Sequence, residues 1–224
     1  MKHLIITFCL FCSLVASAQK STPVKHPVIL NQTDSKAKLI LDKASDKIKQ
    51  QAMKINFSLL IEDTKTSKKE TIKGDVIMKG QKFRLAVPMS QTYYNGKDQY
   101  IYVPKNNEVS ISTPTKKELQ EVNPAYLLMS YASDATVQFS KDNVASNFFY
   151  TIDVFPDHKM RKEYFKAIVK IDKKTLNLKS IKVLNKNGVH SSFFVEKIER
   201  RAYEDAFFTF YSKSHPNVIV NDLR

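Results

Sequence analysis

The sequence predicts a mainly β protein with α (an α+β fold): an incomplete antiparallel β-barrel, that is a curled sheet, covered by helices on its concave side. Three observations predict it. From Ile55 onward, apolar residues recur with a period of two over hairpin-length segments, the spacing of half-buried strands. Helical spacing appears only near the start and in the middle. Short turns join the strand segments, with no repeat, linker or low-complexity tract between them. Sequential strands with short turns pair antiparallel, and a long sheet of that kind curls or closes.

The elements follow in order. Met1-Lys2-His3 is a short basic start, Leu4 to Val15 is apolar, and Ala16-Ser17-Ala18 is an A-x-A site. Residues 1–18 therefore read as a secretory signal peptide cleaved after Ala18; the run is shorter than the about 20 apolar residues that span a bilayer. Phe8 precedes Cys9 and Phe11 precedes Cys12, where lipid attachment would need a small residue, so no acyl anchor is expected. Residues 19–33, polar with Pro23 and Pro27, read as a flexible leader. Residues 34–224 read as one domain. Asp34 or Ser35 can cap a helix carrying Ala37, Leu41, Ala44, Ile48, Ala52 and Ile55 at helical spacing. Strands are expected over Asn56–Asp63, Glu70–Lys79, Lys82–Val87, Gln91–Tyr94, Gln99–Val103 and Asn107–Thr113, with Asn95-Gly96 as a tight turn because both residues tolerate positive φ. Short helices follow from Pro114 to about Val122 and over Pro124–Tyr131. Further strands cover Thr136–Ser140, Asn147–Phe155, Tyr164–Asp172, Leu178–Asn185 and His190–Arg200; an aromatic segment Asp205–Tyr211 and a last piece Asn217–Val220 close the chain.

Composition narrows the function. The 36 basic against 22 acidic residues give a formal net charge of +14. The basic residues alternate with apolar ones along strands, which fits a solvated outer face; attraction to anionic headgroups or an acidic partner is the alternative. No nucleic-acid recognition motif is present, and none of that partner class is expected. Both cysteines lie in the signal, so after cleavage neither a disulfide nor a thiolate nucleophile remains. Only four glycines occur, which excludes a glycine-rich phosphate loop. His26, His158, His190 and His215 show no metal-ligand spacing, and no hydroxyl sits in a nucleophile elbow. No catalytic residue, metal or cofactor is expected.

The notable matter is apolar. Phe57, Leu59 and Ile61; Val76 and Met78; Phe83, Leu85 and Val87; and Phe148, Tyr150, Ile152 and Val154 take alternate positions, and Tyr100 and Tyr102 alternate with Ile101. Such a pattern fits a filled core and an apolar ligand cavity equally, because inward side chains look the same in both.

Four segments carry a resemblance. They are Ala37-Lys-Leu-Ile-Leu-Asp-Lys-Ala44, Gly74-Asp-Val-Ile-Met-Lys-Gly-Gln-Lys-Phe-Arg84, Asn95-Gly-Lys-Asp-Gln-Tyr-Ile-Tyr102, and Phe208-Thr-Phe210 with Pro216-Asn-Val-Ile-Val-Asn-Asp-Leu-Arg224. In this order they resemble the LolA family of periplasmic lipoprotein carriers, more closely its divergent Bacteroidetes-type branch. The resemblance implies an unclosed barrel with helices over its open side. It also implies a monomeric, non-enzymatic periplasmic chaperone that takes acylated lipoproteins from an inner-membrane ABC transporter to an outer-membrane acceptor. A carrier would line its cavity with Phe57, Leu59, Phe83, Leu85, Tyr102, Leu127, Leu128, Phe148, Tyr150 and Ile152. Many family members hold the lid with an Arg-Pro pair; here the matching stretch is Lys79-Gly80-Gln81, so Lys79, lacking the guanidinium fork, and Arg84 are the lid-contact candidates. Tyr100 stands where Trp is common. A periplasmic binding or sensor protein for another lipid or glycolipid is the alternative reading.

Overall fold

The computed structural model describes residues 33–115, 118–119, 135–141, 146–156 and 163–224. Signal, leader up to residue 32 and the second inserted helix lie outside the described residues. Helix α1 (Ser35–Gln50) is followed by β1 (Met53–Asp63), β2 (Lys69–Lys79), β3 (Lys82–Val87), β4 (Ser90–Tyr94), β5 (Gln99–Val103) and β6 (Glu108–Ser112). After the inserted stretch come β7 (Ala135–Phe139), β8 (Phe149–Pro156), β9 (Tyr164–Asp172), β10 (Leu178–Asn185), β11 (Val189–Arg200) and β12 (Ile219–Asp222).

All twelve strands form one sheet in the order β12-β6-β5-β4-β3-β2-β1-β11-β10-β9-β8-β7. Two meanders, β1–β6 and β7–β11, are joined through the β1–β11 pair. The end strands β12 and β7 do not pair among the described residues, so the sheet is unclosed, as expected. Every pairing is antiparallel except β12 with β6, which is parallel.

Asp34 caps α1, accepting from the amides of Lys36 at 2.8 Å and Ala37 at 3.0 Å. The helix ends at Gln50, not near Ile55: Met53 and Ile55 begin the alternation that continues through Phe57 and Leu59, and strand period wins where the two patterns overlap. Its buried stripe, Ala37, Ile40, Leu41, Ala44, Ser45 and Ile48, packs into the cluster on the sheet. Both ends of α1 are tied. The Asp34 amide donates to the Val137 carbonyl at 2.8 Å, beside the hydroxyl of Thr33, so residue 33 is ordered against β7. Lys47 donates to the Thr175 carbonyl and to Asn177 Oδ1, in the turn between β9 and β10. Thus α1 crosses one face of the sheet from β7 toward the start of β10.

Turn chemistry sets the register. At the β4–β5 turn only Gly96 takes positive φ, 103°; Asn95 instead accepts the amides of Lys97 and Asp98 on its side chain at 2.9 Å. Asp172 plays the same part for Lys174 and Thr175. A bulge opposite Asn56 and Phe57 places both Val195 and Ile198 of β11 against the core. Thr115 and Glu118 form a reciprocal cap at the start of the first inserted helix, and Leu119 reaches the core.

The chain after β11 runs across the outer face. Phe208 is buried with Ile77 and Tyr203, and Phe210 with Tyr93, Tyr102 and Val109. Those two anchors deliver β12 to the edge of β6. There Arg224 reaches the buried Asp98 at 3.0 Å, and the Thr113 hydroxyl donates to the same carboxylate at 2.8 Å. Two of the motifs that carry the resemblance are thereby fastened to each other.

Candidate ligand-binding face

Register separates the sheet into an inner face, toward α1, and an outer one. On β1 the inner residues are Met53, Ile55, Phe57 and Leu59; across from them stand Val76 and Met78 of β2 and Val195 of β11. Phe83 and Leu85 of β3 and Tyr94 of β4 continue the face on one side, and Val169, Ile152 and Val137 on the other. These side chains form one cluster with the stripe of α1. Phe57 stacks on Phe193 at 4.9 Å, and Phe83 packs on Tyr94 at 5.8 Å. Burial raises the phenol pKa of Tyr94, and pushes that of Tyr164 up to about 12, so both rings stay neutral.

Of the residues expected to line a cavity, Phe57, Leu59, Phe83, Leu85 and Ile152 are buried together in this cluster, and Tyr150 packs against it. Leu127 and Leu128 lie outside the described residues. Two others are placed elsewhere. Tyr102 is on the outer face: it pairs with Gln91 and Val109, and its ring lies 5.1 Å from Phe210 and 4.6 Å from His215. The large aromatic of β5 faces outward because the C-terminal segment covers it there; Gln99, Ile101 and Val103 face inward instead. Phe148 shares the parity of Tyr150 but precedes β8, beyond the last pair Phe149–Asp172, and is 71% exposed.

The lid-contact candidates also face outward. Lys79 donates to the Tyr203 carbonyl at 3.0 Å and to Asp205 at 2.9 Å, and Lys82 meets the same carboxylate at 2.7 Å. Arg84 lies over the Tyr93 ring at 5.2 Å and donates to Gln91. Among the described residues Lys79 therefore holds the outer-face segment and Arg84 the outer side chains of β4, and neither meets α1, because their strand parity is opposite to that of Val76, Met78, Phe83 and Leu85.

Sequence reading passed over the inner residues of β9 and β10, Ala167, Val169, Ile171, Ile181 and Val183, although their alternation with Lys166, Lys170 and Lys182, broken only by Ile168, carried the signal. It also passed over Ser90, Thr92 and Gln99, buried polar side chains of the same face. A cavity of about 10 Å³, room for one water, lies between Ala44 and Ile48 of α1 and Met53, Ile55, Leu178 and Ile198 of the sheet. Among the described residues no group of three or more His, Cys, Asp or Glu side chains is arranged to hold a metal ion.

A family model described as outer membrane lipoprotein carrier protein LolA matches residues 28–188, well over half of the chain. Comparison with curated proteins gives no match. Among solved structures, an uncharacterized conserved protein from Thermus thermophilus superposes with a TM-score of 0.54 at 13% identity, covering 84% of this chain and 99% of that one. That likeness shows the fold. A LolA superfamily protein from Nitrosomonas europaea gives a TM-score of 0.42 at 12% identity, over 78% of this chain and 97% of that one. The MucA/MucB complex of Pseudomonas aeruginosa gives 0.41 at 13% identity, over 80% of this chain and 62% of that one.

Proposed function

The chain belongs to the LolA family of outer membrane lipoprotein carriers, and from that premise we propose that it is a periplasmic carrier that shields the acyl chains of lipoproteins between the inner and the outer membrane. The observation that carries the reading is the apolar inner face of β1–β3 and β8–β11, Phe57, Leu59, Phe83, Leu85, Tyr150 and Ile152 among it, which forms one buried cluster with the apolar stripe of α1. Leaving a membrane costs an acyl chain about 0.8 kcal/mol per CH₂, so a soluble acceptor must offer comparable apolar burial. A face already covered in the empty protein keeps that surface from water. Exchanging helix contacts for acyl contacts then makes loading only modestly favourable, which is what release requires. Direction comes from the donor, an inner-membrane ABC transporter, and from a better outer-membrane acceptor. No bond is made or broken in this work. The carrier acts as a monomer, exported with its signal cleaved after Ala18.

The test is release. Incubated with inner-membrane vesicles that hold an acylated lipoprotein and the ATP-driven transporter, the protein should bring that lipoprotein into the soluble fraction as a one-to-one complex. Mass spectrometry of the extracted ligand should then show a diacylglyceryl-cysteine peptide. A free lipid or glycolipid in its place would favour the binding or sensor alternative, and no release at all would overturn the carrier reading.

A further inference from the structure

The inner face is not uniform. On β1–β3 and β8–β10 it is largely aliphatic and aromatic, but on β4–β6 it carries Ser90, Thr92, Gln99, Ser110 and Ser112. Register draws them together: Gln99 stands opposite Tyr94 of β4 and Ser112 of β6, while Ile101 stands between Thr92 and Ser110. The packing of Tyr94 on Phe83 fixes this side as the inner one. Gln99 is only 7% exposed, and its Nε2 has no hydrogen-bond partner among the described residues. A buried amide donor without an acceptor is costly in the empty protein, and a ligand that brings an acceptor recovers that cost.

The acceptor that fits is neutral. No Lys or Arg faces inward from β4, β5 or β6, whereas Glu108, paired in register with Val103, does. From these strands a phosphate or carboxylate headgroup would meet a like charge and no cation. Hydroxyl and amide groups beside an apolar wall match the carbonyl of an acyl ester. Resting on the carrier reading, we infer that the β4–β6 wall is a polar subsite for the ester carbonyls that join acyl chains to a glyceryl group. Gln99 donates to one of them while the chains lie along β1–β3.

Binding is measured with four probes: a dipalmitoylglyceryl-cysteine peptide, its diether analogue without carbonyls, palmitate, and dipalmitoylphosphatidylglycerol. The protein should bind the diester peptide about three- to tenfold more tightly than the diether, the range of one neutral hydrogen bond. Gln99→Leu should bind both peptides equally, with an unfolding midpoint no lower than that of the parent, since it removes an unpaired polar group. A parent protein without ester preference, or a preference that survives in Gln99→Leu, overturns the subsite while leaving acyl binding intact. If neither peptide nor palmitate binds the parent, the carrier reading falls and the subsite falls with it. Within a positive result, tighter binding of the peptide than of the phospholipid names a lipoprotein as the ester source, and equal binding names any diacylglyceride; either supports the subsite.

Discussion

Gly74 sits in the middle of β2 with Phe57 of β1 beside it and β3 behind it. A Cβ there would stand 2.5 Å from the Ala86 carbonyl oxygen, 2.8 Å from the tip of the Phe57 ring and 3.0 Å from a Val87 methyl. The first of these is backbone and cannot step aside. A glycine inside a strand costs about 0.5–1 kcal/mol against alanine, and overpacking costs about 1–3 kcal/mol, so the clash wins. Gly74→Ala is therefore expected to lower the unfolding free energy by about 1–2 kcal/mol, read from the urea midpoint at constant slope; a variant as stable as the parent would mean that β3 gives way freely. None of this is legible along the chain, because the neighbours that crowd Gly74 come from other strands. Tyr102 misleads for the same reason. Alternation assigns it to one face or the other, and only the return of Phe210, more than a hundred residues later, decides which face is covered.

Elements were more legible than their ends or partners. The alternating runs are strands within three residues of where the period placed them, and Asn95-Gly96 turns the chain as expected. The helix boundary moved because Ile55 satisfies both periods, and the last strand is parallel because the preceding segment crosses the whole outer face before pairing. That segment is held by Asp205, whose carboxyl is brought down to about 2 by hydrogen bonds from Lys82 and then Lys79. Its folded pKa lies below the ordinary 3.8. The pairing therefore favours the docked segment above that value, and its contribution disappears as pH falls from about 4 through about 2. Amide protection over residues 203–210, taken relative to the intrinsic exchange rate at each pH, should fall in that window while the inner strands keep theirs. Asp205→Asn should show the faster exchange already at neutral pH and lose the acid dependence. If the variant retains the same acid step, a different carboxylate holds the segment.

At the scale of the molecule, the two meanders pair, among the described residues, only where β1 meets β11, residues far apart in sequence. Sequence order showed hairpins but not this closure, since nothing local marks which strand of the second set returns to the first. The closure brings the apolar residues of both sets onto a single face, in one cluster with the stripe of α1. An isolated helix of this length, 16 residues, is marginal in water, so its order is borrowed from that face. A ligand that occupies the face must compete with the helix for it. Loading with the dipalmitoylglyceryl-cysteine peptide at about a hundred times Kd should raise global stability by about 2.7 kcal/mol. At the same time amide exchange within Ser35–Gln50 should become faster and exchange in β1–β3 slower. The opposing signs separate displacement of α1 from a general tightening. A rise in protection of α1 together with the strands would show that the acyl chains enter beneath some other cover and leave the helix where it is.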